Sequence, residues 1–330
     1  MKAAYITQTG SPDVITFGEL PDPKPTRRQC LIQVAAVDVN PIDLYVRSGA
    51  IPAKLTFPFI LGRDLAGTVK EVGASVKGLK VGDRVWATNQ GTDGRPGTFA
   101  ELAAVDERWL HPIPAAVSDA DMAALSLVAV TAHIGLVHFG NVKSGDVLFV
   151  HGGSGGVGSS VVQVAKILGA RVITTAGSEA KAAICRELGA DLVLNYQTDD
   201  VDGAIRKFAP NGVKVWWETL REPNFERTVP LLALRGRMII MAGRDARPTF
   251  PVGPFYVKDC SLHGFAMFNA SAREQRSAAN AINRWLSEGK LKARIDRVLP
   301  LSQTAEAHRL QEQSTLQKTG VLAGKIVLKP

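Results

Sequence analysis

A cluster of glycines around one serine follows an apolar run in the stretch VLFVHGGSGGVGSSVVQVAK, residues 147–166. The cluster satisfies two spacing rules at once. One is the G-x-G-x-x-G spacing of loops that bind the pyrophosphate of a dinucleotide, formed by Gly153, Gly155 and Gly158. The other is the G-x-S-x-G spacing of a loop that presents a nucleophilic serine, centred on Ser154.

The residues on either side of the loop favour the dinucleotide interpretation. A predicted strand precedes the loop, an amphipathic helix pattern follows it, and a second predicted strand begins at Arg171, which is the order that a dinucleotide loop requires. A nucleophilic serine would need an acid and a histidine farther along the chain. Only His263 and His308 remain there, and His263 falls inside a predicted strand. We therefore expect the pyrophosphate to bind at the helix start, on Gly153, Gly155, Gly156, Val157 and Gly158.

The end of the second predicted strand indicates which dinucleotide binds. A site for NAD usually carries Asp or Glu there, where the carboxylate accepts hydrogen bonds from the ribose. Here that point falls on Ala176 and Gly177, while Glu179 falls in the first turn of the next helix, where the helix dipole favours a carboxylate anyway. Ser178 and Lys181 offer a hydroxyl and a cation to a 2′-phosphate. We predict NADP(H) as the cofactor; the alternative for Lys181 is an ordinary solvated lysine.

The pattern of the chain changes near residue 120. Before it, short β-like runs alternate with Gly and Pro, as in a barrel-like or sandwich β domain. After it, predicted strands alternate with helices, which is typical of a doubly wound parallel sheet; these strands are 147–150, 171–175, 192–194, 213–217, 237–241 and 261–265. A long polar helix and a closing strand, GKIVLKP, follow. The pattern predicts an α/β protein of two domains.

Composition limits the classes of protein to which the chain can belong. Its 330 residues include only three scattered cysteines, which argues against a disulfide framework and for a cytoplasmic location. No signal-peptide core is visible, and no run approaches the roughly 18 uninterrupted apolar residues of a membrane span. The net charge of +8 is spread along the chain, with a mild basic bias at 273–297. No nucleic-acid-binding motif accompanies that bias, so we expect neither a membrane nor a nucleic-acid partner.

Several motifs, taken in order, resemble those of a known family. They are NPIDLYVRSG (40–49), LGRDLAG (61–67), HGGSGGVG (151–158), TAGSEAKAAICRELGAD (175–191) and NY (195–196). Together they resemble the zinc-independent, zeta-crystallin-like quinone oxidoreductase branch of the medium-chain dehydrogenase/reductases. The resemblance implies a GroES-like β-rich catalytic domain, a Rossmann NADP-binding domain, a cleft between them as active site, and a homodimer or homotetramer. The implied boundaries are 1–124 and 266–330 for the catalytic domain and 125–265 for the Rossmann domain.

The same resemblance bears on metal binding. Zinc alcohol dehydrogenases, the sister branch, hold a catalytic zinc at positions that in this chain are implied to be Asn40, Arg63 and a residue near Thr131. Independently of any family, three isolated cysteines and the lack of an H-x-x-x-H or C-x-x-C pair leave no plausible zinc ligand set. We therefore expect no metal ion. Arg63 is then expected to narrow or charge the mouth of the cleft.

Without a Lewis acid, electron-poor conjugated acceptors are the easiest to reduce. The leading expectation is reduction of a quinone by NADPH. The second is reduction of α,β-unsaturated ketones, aldehydes or enoyl thioesters on the same fold. The third belongs to another class, an RNA-binding or structural protein that retains the fold, and an intact glycine loop argues against it.

The resemblance also implies roles for single residues. Asn40 and Thr131 are expected to touch the nicotinamide end or the substrate oxygen, and Tyr45 and Arg47 to orient or protonate the substrate. The alternatives are a partly buried Tyr45 and an Arg47 paired with Asp43 or Asp64. The remaining implied contacts are Tyr196 beside the adenosine phosphate with Ser178 and Lys181, Gly243 beside the nicotinamide ribose, and Phe265 and Phe268 in the substrate pocket or the core.

Overall fold

The structure is a computed structural model that describes residues 1–51, 54–317 and 319–330. The chain divides into two compact units. Unit 1 consists of Met1–Val130 and Ala270–Pro330, and unit 2 consists of Thr131–Asn269. Unit 2 is built around one sheet of six strands, whereas the described strands of unit 1 form two sheets, one of seven strands and one of three.

Strands form the sheets of both units and are numbered here in chain order. They are β1 (Lys2–Ile6), β2 (Thr16–Glu19), β3 (Gln29–Val39), β4 (Phe59–Ile60), β5 (Leu65–Val72), β6 (Arg84–Ala87), β7 (Leu102–Asp106), β8 (His111–Pro112), β9 (Val147–Val150), β10 (Arg171–Ala176), β11 (Leu192–Asn195), β12 (Val213–Glu218), β13 (Leu232–Ile240), β14 (Ser261–Gly264), β15 (Ile295–Pro300) and β16 (Lys325–Lys329).

Helices are numbered in the same way. They are α1 (Pro41–Ser48), α2 (Asp119–Ile134), α3 (Gly156–Ile167), α4 (Glu179–Glu187), α5 (Val201–Phe208), α6 (Phe225–Leu231), α7 (Val252–Tyr256), α8 (Ala272–Ser287) and α9 (Thr304–Thr315). Helix α2 continues into a π-helical turn at Gly135–Phe139.

Unit 2, all of whose residues are described, contains a parallel sheet with the strand order β11-β10-β9-β12-β13-β14. This is the doubly wound order in which ligands bind beyond the carboxyl ends of the central strands. Its central strands are buried on both faces, with Phe149, Ile173 and Trp216 inaccessible to solvent. The predicted α/β fold with a parallel sheet is confirmed. Strand β13 begins at Leu232, earlier than predicted, because the polar Arg235 interrupts the apolar pattern on which the prediction relied.

Unit 1 contains a mostly antiparallel sheet, in which the described strands follow the order β15-β16-β3-β5-β6-β8, with β7 also paired to β3. The closing strand β16 pairs with β3, placing Val327 opposite Asp38 and Ile326 opposite Val39. The end of the chain therefore lies against the residues that lead into α1. This pairing is what positions the polar residues of unit 1.

One segment passes the length and composition test for a membrane-crossing helix among the described residues. It is Asp119–Phe139, with 21 residues and a mean hydropathy of 1.8 over its most apolar window. Polar residues, among them Ser126 and His133, interrupt the apolar run, so the segment does not have the uninterrupted apolar sequence expected of a membrane span. Of that window, 78% is buried inside the protein, which is the pattern of a core helix.

His308 on α9 makes the stability of the protein pH-dependent. Its side chain is fully buried, it packs against Phe99, and neither ring nitrogen has a hydrogen-bond partner among the described residues. Burial, assisted by the positive charge of Arg47, lowers the pKa of this imidazole from 6.5 to about 3. Below pH 6.5 the His308 side chain therefore takes up a proton in the unfolded chain but not in the folded chain. His308 thus costs no stability above that pH, and it lowers the free energy of unfolding as the pH falls below it.

Replacement His308→Leu is expected to flatten this dependence. Between about pH 6.5 and pH 5 the histidine should cost the wild-type protein about 2 kcal/mol in free energy of unfolding, and the variant should not lose that part. Urea unfolding at several pH values measures the slope. The exposed His138 provides the control, since His138→Leu should keep the wild-type slope. Equal slopes in the wild type and His308→Leu would contradict the prediction.

Candidate functional site

The glycine loop of unit 2 joins β9 to α3 in a tight turn. Gly152 has a φ of 64°, and its carbonyl accepts a hydrogen bond from the Gly155 N–H at 3.0 Å. Its own N–H donates to the Thr175 hydroxyl on β10 at 3.1 Å. The residue that needs the left-handed conformation is therefore Gly152. It lies one position before Gly153, the first glycine of the G-x-G-x-x-G motif, to which that motif assigns the tight turn.

The remaining glycines of the loop have two different structural tasks. A Cβ on Gly158 would lie 2.2 Å from the Gly152 carbonyl oxygen, and one on Gly153 would lie 2.4 Å from the Thr174 hydroxyl, so close packing requires both glycines. A Cβ on Gly155 would meet no atom nearer than 3.4 Å, and Gly155 is exposed. The loop is thus packed on its inner side and open at Gly155.

Helix α3 begins at Gly156, with Gly155 as its N-cap. The N–H groups of Gly156, Val157 and Gly158 belong to the first turn, where no intrahelical acceptor is available. Together with the positive end of the helix dipole they form a site for an anion, and the open face at Gly155 leaves space for it. The predicted loop residues therefore come together in a cradle that fits a pyrophosphate.

The end of β10 lies beside this cradle in the sheet, since β10 pairs with β9 and the Gly153 N–H donates to the Thr175 carbonyl at 3.2 Å, and it carries no acidic residue. Gly177 packs against the Tyr196 ring, because a Cβ there would lie 2.4 Å from the Tyr196 hydroxyl. The Ser178 hydroxyl accepts a hydrogen bond from the Lys181 N–H at 3.4 Å, as the cap of α4. Glu179 is bound at 2.6 Å by Arg186. The structure brings Ser178, Lys181 and Tyr196 to one strand end.

Two buried ionisable residues at the carboxyl edge of this sheet were missed by the sequence analysis. His151 follows β9, Glu218 ends the adjacent strand β12, and 3.7 Å separates His151 Nε2 from Glu218 Oε2. Burial lowers the pKa of His151 to about 4 and raises the pKa of Glu218 above its usual value. The Trp216 indole N–H donates to Glu218 at 3.2 Å. Their position at consecutive strand ends was visible, but the sequence did not show that these two strands are neighbours.

Gly243 follows β13 with a φ of 84°. A Cβ on Gly243 would lie 2.7 Å from the Arg221 carbonyl oxygen, so this glycine allows the segment after β12 to pack closely. Nearby in unit 2, the half-buried Phe265 stacks on Phe139 with ring centroids 5.1 Å apart, whereas Phe268 is exposed.

Asn40 in unit 1 lies at the start of α1 and is 1% exposed. Its backbone N–H donates to Asp43 at 2.8 Å. Its side-chain amide donates to Asp38 at 3.1 Å and to Asp64 at 2.7 Å. Because a primary amide has two N–H groups, the side chain of Asn40 has no donor left for a substrate unless one of these bonds breaks.

Lys325, brought in by β16, completes this cluster. Its ammonium group donates to the Asn40 side-chain oxygen at 2.6 Å and to the Val39 carbonyl at 3.0 Å, and lies 2.6 Å from Asp38. Both ends of the Asn40 amide are therefore fixed. We call Asp38, Asn40, Asp64, Thr88 and Lys325 the Asn40 network.

The electrostatics of this region follow from its burial. Burial, with the neighbouring carboxyl of Asp38, raises the pKa of Asp64 well above its usual value, and Thr88 donates a hydrogen bond to Asp64. Burial also raises the pKa of Asp43 to about 7, although Arg63 opposes the shift from 4.0 Å. Arg63 is 6% exposed, and burial lowers its pKa. The negative charges are thus reduced or paired within the cluster.

The residues at the implied zinc positions do not fit a zinc ion. Asn40 directs its amide hydrogens at two carboxyl groups, and Arg63 is a cation; neither is one of the Cys, His or carboxylate ligands that zinc takes in proteins. In the part of the chain that the structure describes, no group of three or more His, Cys, Asp or Glu residues could hold a metal ion.

The other predicted site residues lie on two helices. Arg47 on α1 is 1% exposed, and its guanidinium donates to Glu312 of α9, so the pairing with Asp43 or Asp64 considered from sequence was wrong. Tyr45, also on α1, is half-buried. Thr131 is buried on α2 and belongs to unit 2. The substrate contacts expected of these three residues remain predictions.

Comparisons with known proteins cover nearly the whole chain. A family model described as an alcohol dehydrogenase GroES-like domain matches residues 26–115, and one described as a zinc-binding dehydrogenase matches residues 156–284. A quinone oxidoreductase from Pongo abelii is 31% identical over 332 residues, covering 99% of this chain and 97% of the relative. A 2-methylene-furan-3-one reductase from Solanum lycopersicum is 32% identical over 339 residues, covering 100% and 79%.

Solved structures resemble the chain over the same length. An Escherichia coli quinone oxidoreductase in complex with NADPH superimposes with a TM-score of 0.88 at 26% identity, covering 100% of both chains. A crystal structure described as an NAD-dependent alcohol dehydrogenase superimposes with a TM-score of 0.89 at 31% identity, again covering 100% of both chains. These relatives and structures are all oxidoreductases.

Proposed function

The chain belongs to the quinone oxidoreductase branch of the medium-chain dehydrogenase/reductase superfamily and is an oxidoreductase, and from that premise we propose that it transfers hydride from NADPH to a quinone without a metal ion. The observation that carries the proposal is the glycine cradle of unit 2, next to a strand end without an acidic residue. The Asn40 network, with its non-ligating amide at an implied zinc position, supports the metal-free part.

Binding of the cofactor is assigned to groups of unit 2. The N–H groups of Gly156, Val157 and Gly158 hold the pyrophosphate, Ser178, Lys181 and Tyr196 hold the 2′-phosphate, and Gly243 lies against the nicotinamide ribose. When bound, NADPH supplies the hydride. The protein contributes by holding both reactants in a reactive arrangement and by excluding water, which is catalysis by positioning.

The unit 1 residues are given positioning roles by their contacts. Because the Asn40 amide is fully engaged, we assign it to holding the start of α1 in place, together with Lys325. Arg47 fixes α1 against α9 through Glu312, and so supports Tyr45, which lies two residues earlier on the same helix. We assign contact with the nicotinamide end or the substrate oxygen to Thr131 and Tyr45.

The cofactor preference can be tested at the end of β10. Replacing Lys181 by alanine removes a cation from the 2′-phosphate site, and a lost charged hydrogen bond of about 1.5–3 kcal/mol should lower kcat/KM for NADPH roughly 10- to 100-fold. The kcat/KM for NADH should stay within about twofold, since NADH has no 2′-phosphate. Lys207→Ala, an exposed lysine of α5, is the matched control. An equal loss with both cofactors would contradict the assignment.

The acceptor is tested with a panel of substrates. Initial rates of NADPH oxidation are compared for 1,4-benzoquinone, 9,10-phenanthrenequinone, an alkenal and crotonyl-CoA. The proposal expects the highest kcat/KM with a quinone. The similarity to the tomato furanone reductase favours one second candidate, a reductase of α,β-unsaturated carbonyls. A higher kcat/KM with the alkenal or the thioester would select that candidate and reject the quinone.

Assembly and location complete the proposal. We propose a homodimer or homotetramer, supported by strand β14 at the edge of the unit 2 sheet with Leu262 40% exposed. A cytoplasmic location is supported by the three free cysteines, Cys30, Cys185 and Cys260. Neither a membrane nor a nucleic acid is part of the proposed function.

A further inference from the structure

A cavity of about 610 Å³ lies within unit 1, away from the residues assigned to the reaction. It is formed where α8 packs near β8 and the short helical turn Glu107–Trp109, with the segment around Leu79 as a further wall. Its volume falls in the range of small-molecule sites. None of its lining residues belongs to the glycine loop or the Asn40 network.

Four arginines line this cavity, and they differ in how far their charges are satisfied. Arg84 is engaged, since it donates to Asp119 at 2.7 Å and to the Val117 carbonyl at 2.7 Å. Arg108 makes a longer ion pair of 3.5 Å with Asp106. Arg276 of α8 makes one weak hydrogen bond, 3.4 Å to the Arg108 carbonyl.

Arg28 is exposed, and its guanidinium makes no hydrogen bond or ion pair with any residue that the structure describes. Arg28 and Arg276 therefore retain most of their donor capacity at the cavity. A guanidinium has five N–H donors in a planar fork that matches a carboxylate or phosphate.

The acidic residues of the cavity wall are already engaged. Asp83 accepts hydrogen bonds from the Lys80 backbone N–H at 2.9 Å and its ammonium at 2.7 Å. Glu107 accepts from the N–H groups of Lys77 and Gly78. Asp83 and Glu107 are thus held by the segment 77–80, and Asp106, the third acidic residue of the wall, pairs with Arg108. Arg28 and Arg276 are therefore the charged groups with donors left for a ligand.

The rest of the wall is apolar. Leu79, Leu110 and Ile113 line the cavity, and Leu110 and Ile113 are almost fully buried. A ligand that matches both parts needs an anionic group for the arginines and an apolar body for these side chains. We propose that the cavity is a binding site for a small organic anion, either a phosphate monoester or a carboxylic acid with an apolar part, whose charged group is held by Arg28 and Arg276.

Isothermal titration of the NADPH-saturated protein with phenyl phosphate, benzoate and inorganic phosphate tests this proposal, because saturation occupies the cofactor's own phosphate sites. Phenyl phosphate and benzoate test the two acid groups, and inorganic phosphate tests the anion alone. The proposal expects saturable binding of at least one organic anion, with inorganic phosphate binding about tenfold more weakly because it leaves the apolar wall uncovered.

Variants locate the binding. Each of Arg28→Gln and Arg276→Gln should weaken binding of the organic anion about three- to tenfold, and the double variant more than tenfold, because solvent weakens a charge pair made by an exposed side chain. Arg273→Gln is the matched control: it removes the same charge from an exposed position of α8 that does not line the cavity. It should stay within about twofold of the wild type. NADPH oxidation should be unchanged in all of these variants.

Three results would overturn the proposal. The first is no binding of either organic anion at about 10 mM, a concentration at which even weak ligands bind. The second is an equal loss in Arg273→Gln, which would mean general attraction to surface charge. The third is inorganic phosphate binding as tightly as the organic anions, which would leave the apolar wall without a role.

Discussion

A Gly155→Ala variant is expected to fold normally and to bind NADPH about 100-fold more weakly, a loss of about 2.7 kcal/mol. The backbone at Gly155 has φ −76° and ψ 171°, which alanine adopts without strain, and the new methyl group would meet no protein atom nearer than 3.4 Å. The methyl group would instead occupy the open face of the cradle, where the loop backbone must approach the pyrophosphate. Titration of NADPH, followed by the quenching of tryptophan fluorescence, measures the loss.

Two further glycines make this experiment specific. Gly253→Ala places a methyl group in open space in helix α7 of unit 2, and should leave the affinity unchanged without lowering stability. Gly158→Ala forces a methyl group to within 2.2 Å of the Gly152 carbonyl and should lose both. Wild-type affinity in Gly155→Ala would mean that the cofactor does not lie on this loop.

Lys325→Met is expected to lower the free energy of unfolding by about 3–5 kcal/mol, since it leaves the buried carboxyl of Asp38 without its counter-ion. Lys325 and Asp38 are only 5% and 1% exposed, so water cannot replace the lost partner. The same change removes the hydrogen bond that the Lys325 ammonium group donates to the Asn40 side-chain oxygen. Urea unfolding monitored by circular dichroism measures the effect.

Two variants separate the buried charge from the loss of a lysine. Lys329→Met removes an exposed lysine from the same strand and should cost less than about 0.5 kcal/mol. Adding Asp38→Asn to Lys325→Met removes the uncompensated charge and should recover part of the stability. A cost below about 1 kcal/mol for Lys325→Met would contradict the account of the network.

The glycine loop and the end of β10 could be predicted from sequence because their geometry is local. Each is formed by residues within one strand–loop–helix segment, so spacing and residue type were sufficient. Even there the turn fell on Gly152 instead of Gly153, since three closely spaced glycines satisfy more than one assignment and only the φ angles decide between them.

The Asn40 network could not be predicted, because its members meet only through the sheet. Lys325 and Asn40 are 285 positions apart, and the pairing of β16 with β3 brings them together. The predicted ion-pair partner of Arg47 was wrong for the same reason. Its actual partner, Glu312, is 265 positions away in the chain, whereas the prediction considered only nearby acidic residues. His151 and Glu218 were missed because a strand pattern does not state which strands lie side by side.

The measurement that tests the central claim most directly is the rate of NADPH oxidation with 1,4-benzoquinone by protein freed of metal with a chelator, with NADH in parallel. The account predicts turnover unchanged by the chelator, and a kcat/KM at least about tenfold higher for NADPH than for NADH, as a charged contact to the 2′-phosphate would give. Activity that is lost on chelation and restored by zinc, or equal use of NADH, would contradict it.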